Sequence, residues 1–228
     1  MTAAGKPSLL QRRLGRVDYE TVWSAMRAFT EARGADTPDE IWLVEHPPVY
    51  TMGLKGRDGK LRDIGGVPLV YSDRGGDITY HGPGQAVLYP LLDITRLGVG
   101  IKTLVQTLEQ TVIDFLAARD ISAQRRSGAP GVYVDEKKIA ALGLRVRHGR
   151  SYHGLSFNVN MDLSPFGRID PCGYQGMEVT QLADFSVSVD VTEASTELAQ
   201  RLATLLGYNA PRLLPNTDLP AFVSTHHE

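Results

Sequence analysis

The chain has one cysteine, Cys172, set in Asp170-Pro171-Cys172-Gly173-Tyr174, residues that turn a backbone rather than extend a helix or strand. A free thiol in such a place is either a small buried hydrophobe or a nucleophile, and its neighbours alone do not decide between them. As a nucleophile it needs a partner. At an ordinary thiol pKa near 8.5 only about 3% is thiolate at pH 7, and lowering that pKa by about two units takes roughly 2.7 kcal/mol of differential stabilisation. One close, partly desolvated ammonium can supply that much.

Lys138 is the candidate ammonium. In a regular strand from Lys137 to Val146, Lys138 shares a face with Ala140, Leu142, Leu144 and Val146, while Lys137 shares the other with Arg145 and Arg147. The apolar face points inward, which sets Lys138 at the edge of the core, where lysines seldom sit without a partner or a task. A lysine near the start of a strand can equally snorkel to water.

A glycine-rich block, Arg74-Gly75-Gly76-Asp77-Ile78-Thr79-Tyr80-His81-Gly82-Pro83-Gly84-Gln85, is the third candidate. It lacks the Gly-Lys-Ser/Thr ending of a phosphate-binding loop and the spacing of a dinucleotide fingerprint, so nucleotide binding of either kind is unsupported. Its glycines permit close backbone approach to a ligand and leave N–H groups that could face a thioester carbonyl; as a bare block it is also a turn between strands. His153 alternates with Leu155, Phe157 and Val159 and reads as a hydrogen-bonded core histidine. The six histidines form no metal-binding pattern, so no metal site and no cofactor is expected.

The elements that must carry these residues follow from periodicity. Helices are expected over Tyr19 to Arg33, Ile101 to Arg119 and Thr192 to Leu206, each with an apolar stripe at helical spacing. Strands are expected over 41–45, 49–52, 67–71, 77–80, 85–92, 121–125, 131–134, 137–147 and 151–160, separated by Gly and Pro clusters. Helices fall between groups of strands rather than after each one, which predicts an α/β fold of the α+β type, a mixed sheet with packed helices. All 228 residues suit one domain, with a loose tail over 1–10 and an irregular tail over 208–228.

A net charge of -2 gives no global attraction to nucleic acid or anionic membrane. Between Gln124 and Arg150, however, seven basic residues face two acidic ones, a local excess of five. With no signal-peptide core and no long apolar run, a cytoplasmic protein without a membrane span is expected.

Taken together, Arg74 to Gln85, Pro130 to Arg147 and Tyr152 to Leu182 resemble the lipoyl(octanoyl) transferase family, octanoyl-[acyl carrier protein]:protein N-octanoyltransferases. The likeness spans about residues 10 to 190 and rests on Arg-Gly-Gly-x-x-Thr-Tyr-His-Gly-Pro-Gly-Gln, Lys-Lys-Ile-Ala-x-Leu-Gly and Pro-Cys-Gly, all intact here. Ser156 and Phe157 stand where relatives often carry Ala-Leu, and Asp170 where Asn is common.

The resemblance implies a biotin/lipoate protein ligase-like fold and an acyl thioester on Cys172 assisted by Lys138. It further implies an acyl-binding pocket from Arg74, Gly75, Gly76, Asp77, Ile78, Thr79, Tyr80 and His81, from Ala141, Leu142 and Gly143, and from Gly154, Leu155 and Ser156. The implied partners are octanoyl-acyl carrier protein as donor and, as acceptors, the lipoyl domains of 2-oxoacid dehydrogenase complexes and the glycine cleavage H protein. An ATP-dependent lipoate-protein ligase and a non-catalytic carrier- or lipoyl-domain binding module remain the alternatives. Cysteine-borne transfer moves a thioester to a thioester and then to an amide, so it needs no nucleotide.

Overall fold

The computed structural model describes residues 8–56, 64–169, 178–215 and 218–220. Its elements run β1 (Leu9–Arg16), α1 (Tyr19–Ala32), β2 (Asp39–Glu45), β3 (Val49–Met52), β4 (Leu69–Tyr71), β5 (Ile78–His81), β6 (Gln85–Leu91) and α2 (Ile94–Leu97). They continue α3 (Ile101–Ala117), β7 (Gln124–Arg125), β8 (Gly131–Val134), β9 (Lys137–Arg147), β10 (Arg150–Asn158), α4 (Val191–Leu205) and β11 (Arg212–Leu213), with 3-10 turns at Ser164–Arg168 and Leu182–Phe185.

An eight-stranded sheet in the order β11-β1-β2-β6-β10-β9-β8-β7 dominates, parallel at the β11-β1-β2 end and antiparallel beyond it. A three-stranded sheet, β4-β3-β5, lies in the β3 to β5 insertion. This is the mixed sheet with packed helices that the strand grouping predicts. Two stretches expected to be loose are partly ordered: Leu9 and Leu10 are buried in β1, paired with Asp39 and Glu40, and Arg212–Leu213 adds β11 beside them. Both stretches gain their order by pairing with neighbouring strands, which no local pattern announces.

Each face of the large sheet is covered by helices with one apolar stripe. Leu104, Leu108, Val112 and Phe115 of α3, with Leu198 and Leu202 of α4, pack on Leu88, Leu155 and Phe157. On the opposite face Val22, Met26 and Phe29 of α1 pack on Trp42, Val87, Tyr89 and Tyr152. The caps match the sequence: Asp190 accepts from the Glu193 N–H at 2.7 Å, and Asp93 from the Arg96 N–H at 2.9 Å. Among the described residues no helix is long and apolar enough to cross a membrane.

A buried carboxylate ties four segments together. Asp39, fully buried, accepts from Arg33 at 2.5 Å, Arg96 at 2.8 Å, the Asp93 N–H at 2.7 Å and the Tyr208 hydroxyl. Removing its charge leaves a fully buried guanidinium, that of Arg33, without its counter-ion. Asp39→Asn is therefore expected to lower unfolding stability by about 3–5 kcal/mol, read from urea melts; a change under about 1 kcal/mol would show that Arg33 relaxes to solvent.

Candidate active site

A two-residue turn with both residues left-handed, Asp135 (φ 44) and Glu136 (φ 68), sends the chain from β8 straight into Lys137 and Lys138. Strand alternation would put Lys138 on the face of Ala140 and Leu142. Instead the β8–β9 register slips: Tyr133 pairs with Lys138 but Val132 pairs with Ala140, leaving Ile139 as an extra residue. Ile139 and Ala140 both join the core under α3, and Lys138 turns into a cleft on the other side. The expected burial of Lys138 holds at 5% exposure, but the cause is a bulge and not the regular parity predicted from the sequence.

The lysine's surroundings are closely fitted. A Cβ on Gly131 would lie 2.6 Å from Lys138 Cε, so only glycine leaves room for the stem. The Nζ stands 5.4 Å from the Tyr133 ring centroid, a cation-π distance. The Lys138 N–H donates to Glu178 O at 2.9 Å, and the Thr180 N–H donates to Lys138 O at 3.0 Å. Cys172 itself lies outside the described residues.

The glycine-rich block crosses over β9. The Gly75 N–H donates to Leu144 O at 2.9 Å, and a Cβ on Gly143 would approach Gly75 O to 2.7 Å, so two backbones meet where neither can carry a side chain. Arg74 clamps the crossing, donating to Thr51 Oγ1 at 3.0 Å, Thr51 O at 2.5 Å, Gly75 O at 3.0 Å and Asp77 O at 2.6 Å.

Most of the predicted pocket residues come together. Arg74, Asp77, Ile78, Thr79, His81, Ala141, Leu142, Gly143, Gly154, Leu155 and Ser156 line one cleft with Lys138. Gly75 and Gly76 are not among the lining residues and serve the crossing, while Tyr80 packs into the small sheet against Tyr50 and Phe166. Residues singled out by no sequence argument complete the walls: Tyr19, Tyr89, Asn158, Phe166 and Val179. Asn158 shares β10 with Ser156, while Tyr19, Tyr89, Phe166 and Val179 come from other parts of the chain, so no local pattern could group them with the motifs.

His153 is buried and hydrogen-bonded, as its alternation suggests, but it faces the cleft. Its φ of 58 breaks the alternation of β10 and turns the ring among Tyr19, Trp23, Tyr89 and Tyr152. Its Nε2–H donates to Asp73 Oδ1 at 2.9 Å, and Nδ1 has no hydrogen-bond partner among the described residues. Asp73 also accepts from Trp23 Nε1 at 2.8 Å and from the Tyr152 hydroxyl. Burial would raise the Asp73 pKa, but the hydrogen bonds from His153 and Tyr152 outweigh it and hold the carboxyl well below the usual range.

Hydrogen bonding sets the tautomers of the other two buried histidines. His46 Nδ1 meets only a carbonyl, Val17 O at 2.6 Å, so it carries the proton and Nε2 accepts from Tyr89 at 2.8 Å. Gln85 donates its amide to Tyr80 O and Asn158 Oδ1, which leaves its Oε1 to accept from His81 Nδ1 at 2.7 Å. Burial lowers the pKa of His46 to about 4 and that of His81 to about 3, and it lowers His153 as well. All three are neutral at pH 7.

The cationic excess along 124–150 is smaller in space than in sequence. Arg125 pairs with Glu109 at 3.1 Å, Lys137 with Glu178 at 3.3 Å and Arg147 with Glu31 at 2.9 Å, three acids from outside that stretch. An excess of five thereby falls to two.

Comparison with known proteins bears on the family and the fold. The family model described as lipoyl protein ligase A/B catalytic domain matches residues 18–203. The chain is similar to an octanoyltransferase of Aromatoleum aromaticum, 58% identical over 204 residues covering 89% of this chain and 88% of the relative. It is also similar to an octanoyltransferase of Thiobacillus denitrificans, 60% identical over 198 residues covering 86% and 91%. A solved lipoate-protein ligase A bound with ATP superposes with a TM-score of 0.72 at 16% identity, over 92% of this chain and 90% of the other. At that identity the likeness concerns the fold, which is the one the sequence resemblance implies.

The histidines carry a pH dependence whose sign is fixed by burial. Their folded-state pKa values lie below the unfolded value near 6.5, so the unfolded chain binds protons first as pH falls. The stability they confer is whole above about pH 6.5 and is lost as pH drops toward about 4 for His46 and about 3 for His81. His46 and His81 are each worth up to about 2 kcal/mol between pH 6.5 and 5. The thermal midpoint should drop by at least about 5 °C across that window, before carboxylates titrate. An unchanged midpoint would mean that the histidines take up protons inside the fold.

Proposed function

We propose that this chain, which belongs to the lipoyl protein ligase A/B catalytic domain family, transfers an octanoyl group through a thioester on Cys172 to the ε-amine of a lysine on a lipoyl domain. The donor in this reading is octanoyl-acyl carrier protein; the acceptors are lipoyl domains of 2-oxoacid dehydrogenase complexes and the glycine cleavage H protein. The observation that carries it is the backbone pairing of Lys138 with Glu178 and Thr180, beside a cleft lined by both Lys138 and Val179. Cys172 lies three residues after Ile169 and six before Glu178. It is thus tethered within about 10 Å of one anchor and about 20 Å of the other at full extension. Phe166, just ahead of that stretch, lines the same cleft.

In the first step the Cys172 thiolate attacks the octanoyl carbonyl. A carbon–sulfur bond to Cys172 forms, the bond to the carrier's sulfur breaks, and the departing thiolate takes the proton that Lys138 received from Cys172. In the second step a lysine amine attacks the acyl-enzyme. The amide bond forms, the bond to Cys172 breaks, and the amine's proton returns to the cysteine sulfur through Lys138. In this reading backbone N–H groups near the glycine-rich block hold the oxyanion, but not that of Gly75, which already donates to Leu144 O. The chain's small net charge and largely paired basic stretch offer little long-range steering, so the choice of donor rests on the resemblance of the sequence motifs alone.

Incubation with octanoyl-acyl carrier protein, without nucleotide or an acceptor, should add one octanoyl group to the intact mass, and Cys172→Ala should abolish the adduct. Adduct formation that requires ATP, or that survives Cys172→Ala, would favour the ligase alternative, and full biological function in Cys172→Ala would favour a binding module.

Lys138→Ala should reduce acyl loading by about 10²-fold or more and move the pH profile of Cys172 alkylation upward. An unmoved alkylation profile would remove the lysine from the mechanism.

A further inference from the structure

Octanoyl transfer as just proposed needs a cleft that holds a chain of limited length. Lys138 stands near one end. The β9–β10 register pairs Ala141 with Ser156, Gly143 with Gly154 and Leu144 with His153. Six residues of β9 therefore separate the level of Lys138 from that of His153, roughly 20 Å at about 3.3 Å per residue. Lys138 and His153 both line the cleft, and the span between them is shorter than that separation by the lengths of their side chains. This suits an extended chain of about eight carbons, roughly 9 Å for seven bonds that each advance about 1.3 Å.

The His153 end is built to be rigid. The ring is 1% exposed and lines the cleft, and its left-handed backbone takes it out of the core face where Leu155 and Phe157 lie. Asp73 holds Nε2 at 2.9 Å and is itself fixed by Trp23 and Tyr152. Tyr19 lies nearly parallel to the ring at 6.4 Å and Tyr89 meets it edge-on at 6.3 Å. Nδ1 is itself buried and has no hydrogen-bond partner among the described residues, so packing further methylenes against it adds to an unmet polar cost.

From this geometry we infer that His153, braced by Asp73, is the stop that sets acyl chain length. The terminal methyl of an octanoyl chain abuts the imidazole, and longer chains meet a ring that cannot swing away without breaking its bond to Asp73. Asp73 acts as a positioning residue and His153 as the residue that touches the chain.

The test compares kcat/KM for hexanoyl, octanoyl, decanoyl and dodecanoyl thioesters of acyl carrier protein with a lipoyl-domain acceptor. His153→Gly removes the ring and suits the left-handed backbone. It should raise the decanoyl-to-octanoyl ratio by about 10-fold or more, the scale expected for two newly buried methylenes. His153→Asn, which also tolerates that backbone and is shorter, should shift the ratio in the same direction by less. General loosening lowers all four chains in parallel and leaves the ratio alone. An unshifted ratio in a folded His153→Gly overturns the stop, and if that variant does not fold, His153→Asn decides it in the same way. No transfer of any chain by the unaltered protein would overturn the octanoyl-transfer reading and this inference with it, whereas octanoyl transfer with an unshifted ratio would overturn the stop alone.

Discussion

A β-strand deals its side chains to two faces in strict alternation, and the cleft depends on that alternation being broken twice. In β9 an extra residue at Ile139 moves Lys138 off the core face; in β10 the left-handed backbone of His153 does the same for an imidazole. Between these two breaks the strands are regular, and the positions that alternate away from the core face are small: Ala141, Gly143, Gly154 and Ser156, with Leu142 and Leu155 also reaching the lining. Two polar ends separated by a floor of small residues is the shape that an apolar chain with one reactive terminus requires. Without the bulge the ammonium would face α3, and the desolvation of an unpaired cation there would have to be met by unfolding or by loss of its charge.

Burying this much polar surface is tolerable because each group is either neutral or multiply bonded. The three histidines are kept neutral by burial, so they contribute hydrogen bonds without charge. Arg74 keeps its charge but spends its donors on backbone carbonyls and Thr51, and Asp73 receives three donors. An isolated guanidinium or carboxylate at these depths would be strongly unfavourable. As parts of one network they fix the loop over the sheet and the His153 ring under it, which is the rigidity that a binding cleft needs.

What the sequence makes legible divides along the same physical line. Contiguous features are readable: the helices by their stripes, the glycine-rich crossing by its composition, and the membership of Ala141 to Gly143 and Gly154 to Ser156 in one site through the family resemblance. The cleft adds Tyr19, Tyr89, Phe166 and Val179, which only the fold brings in. Parity arguments fail at Lys138 and His153 because a bulge and a positive φ leave no reliable mark in residue type; both residues are themselves compatible with the regular strand. Counting charges along 124–150 misleads for a related reason, since Glu31, Glu109 and Glu178 reach those basic residues from other elements. Local consistency is broken where the structure is doing something other than folding, so the failures cluster at the cleft.

The ways in which Lys138 and Arg74 are held determine what substitution at each can reveal. Lys138 is joined to Glu178 and Thr180 by its backbone, so the bridge between β9 and the returning segment persists whatever its side chain is. Replacing the lysine therefore removes a cation and a few methylenes while leaving the path of the chain in place. Arg74 is the reverse: its side chain carries the bonds that hold the crossing on Thr51 and Asp77, and behind it Gly143 and Gly75 leave no slack. Loss of Arg74 would release the loop and the cleft wall together, so a kinetic effect there mixes binding with local folding. The two cations share one cleft, yet only at Lys138 does the architecture separate the chemistry of the side chain from the geometry that presents it.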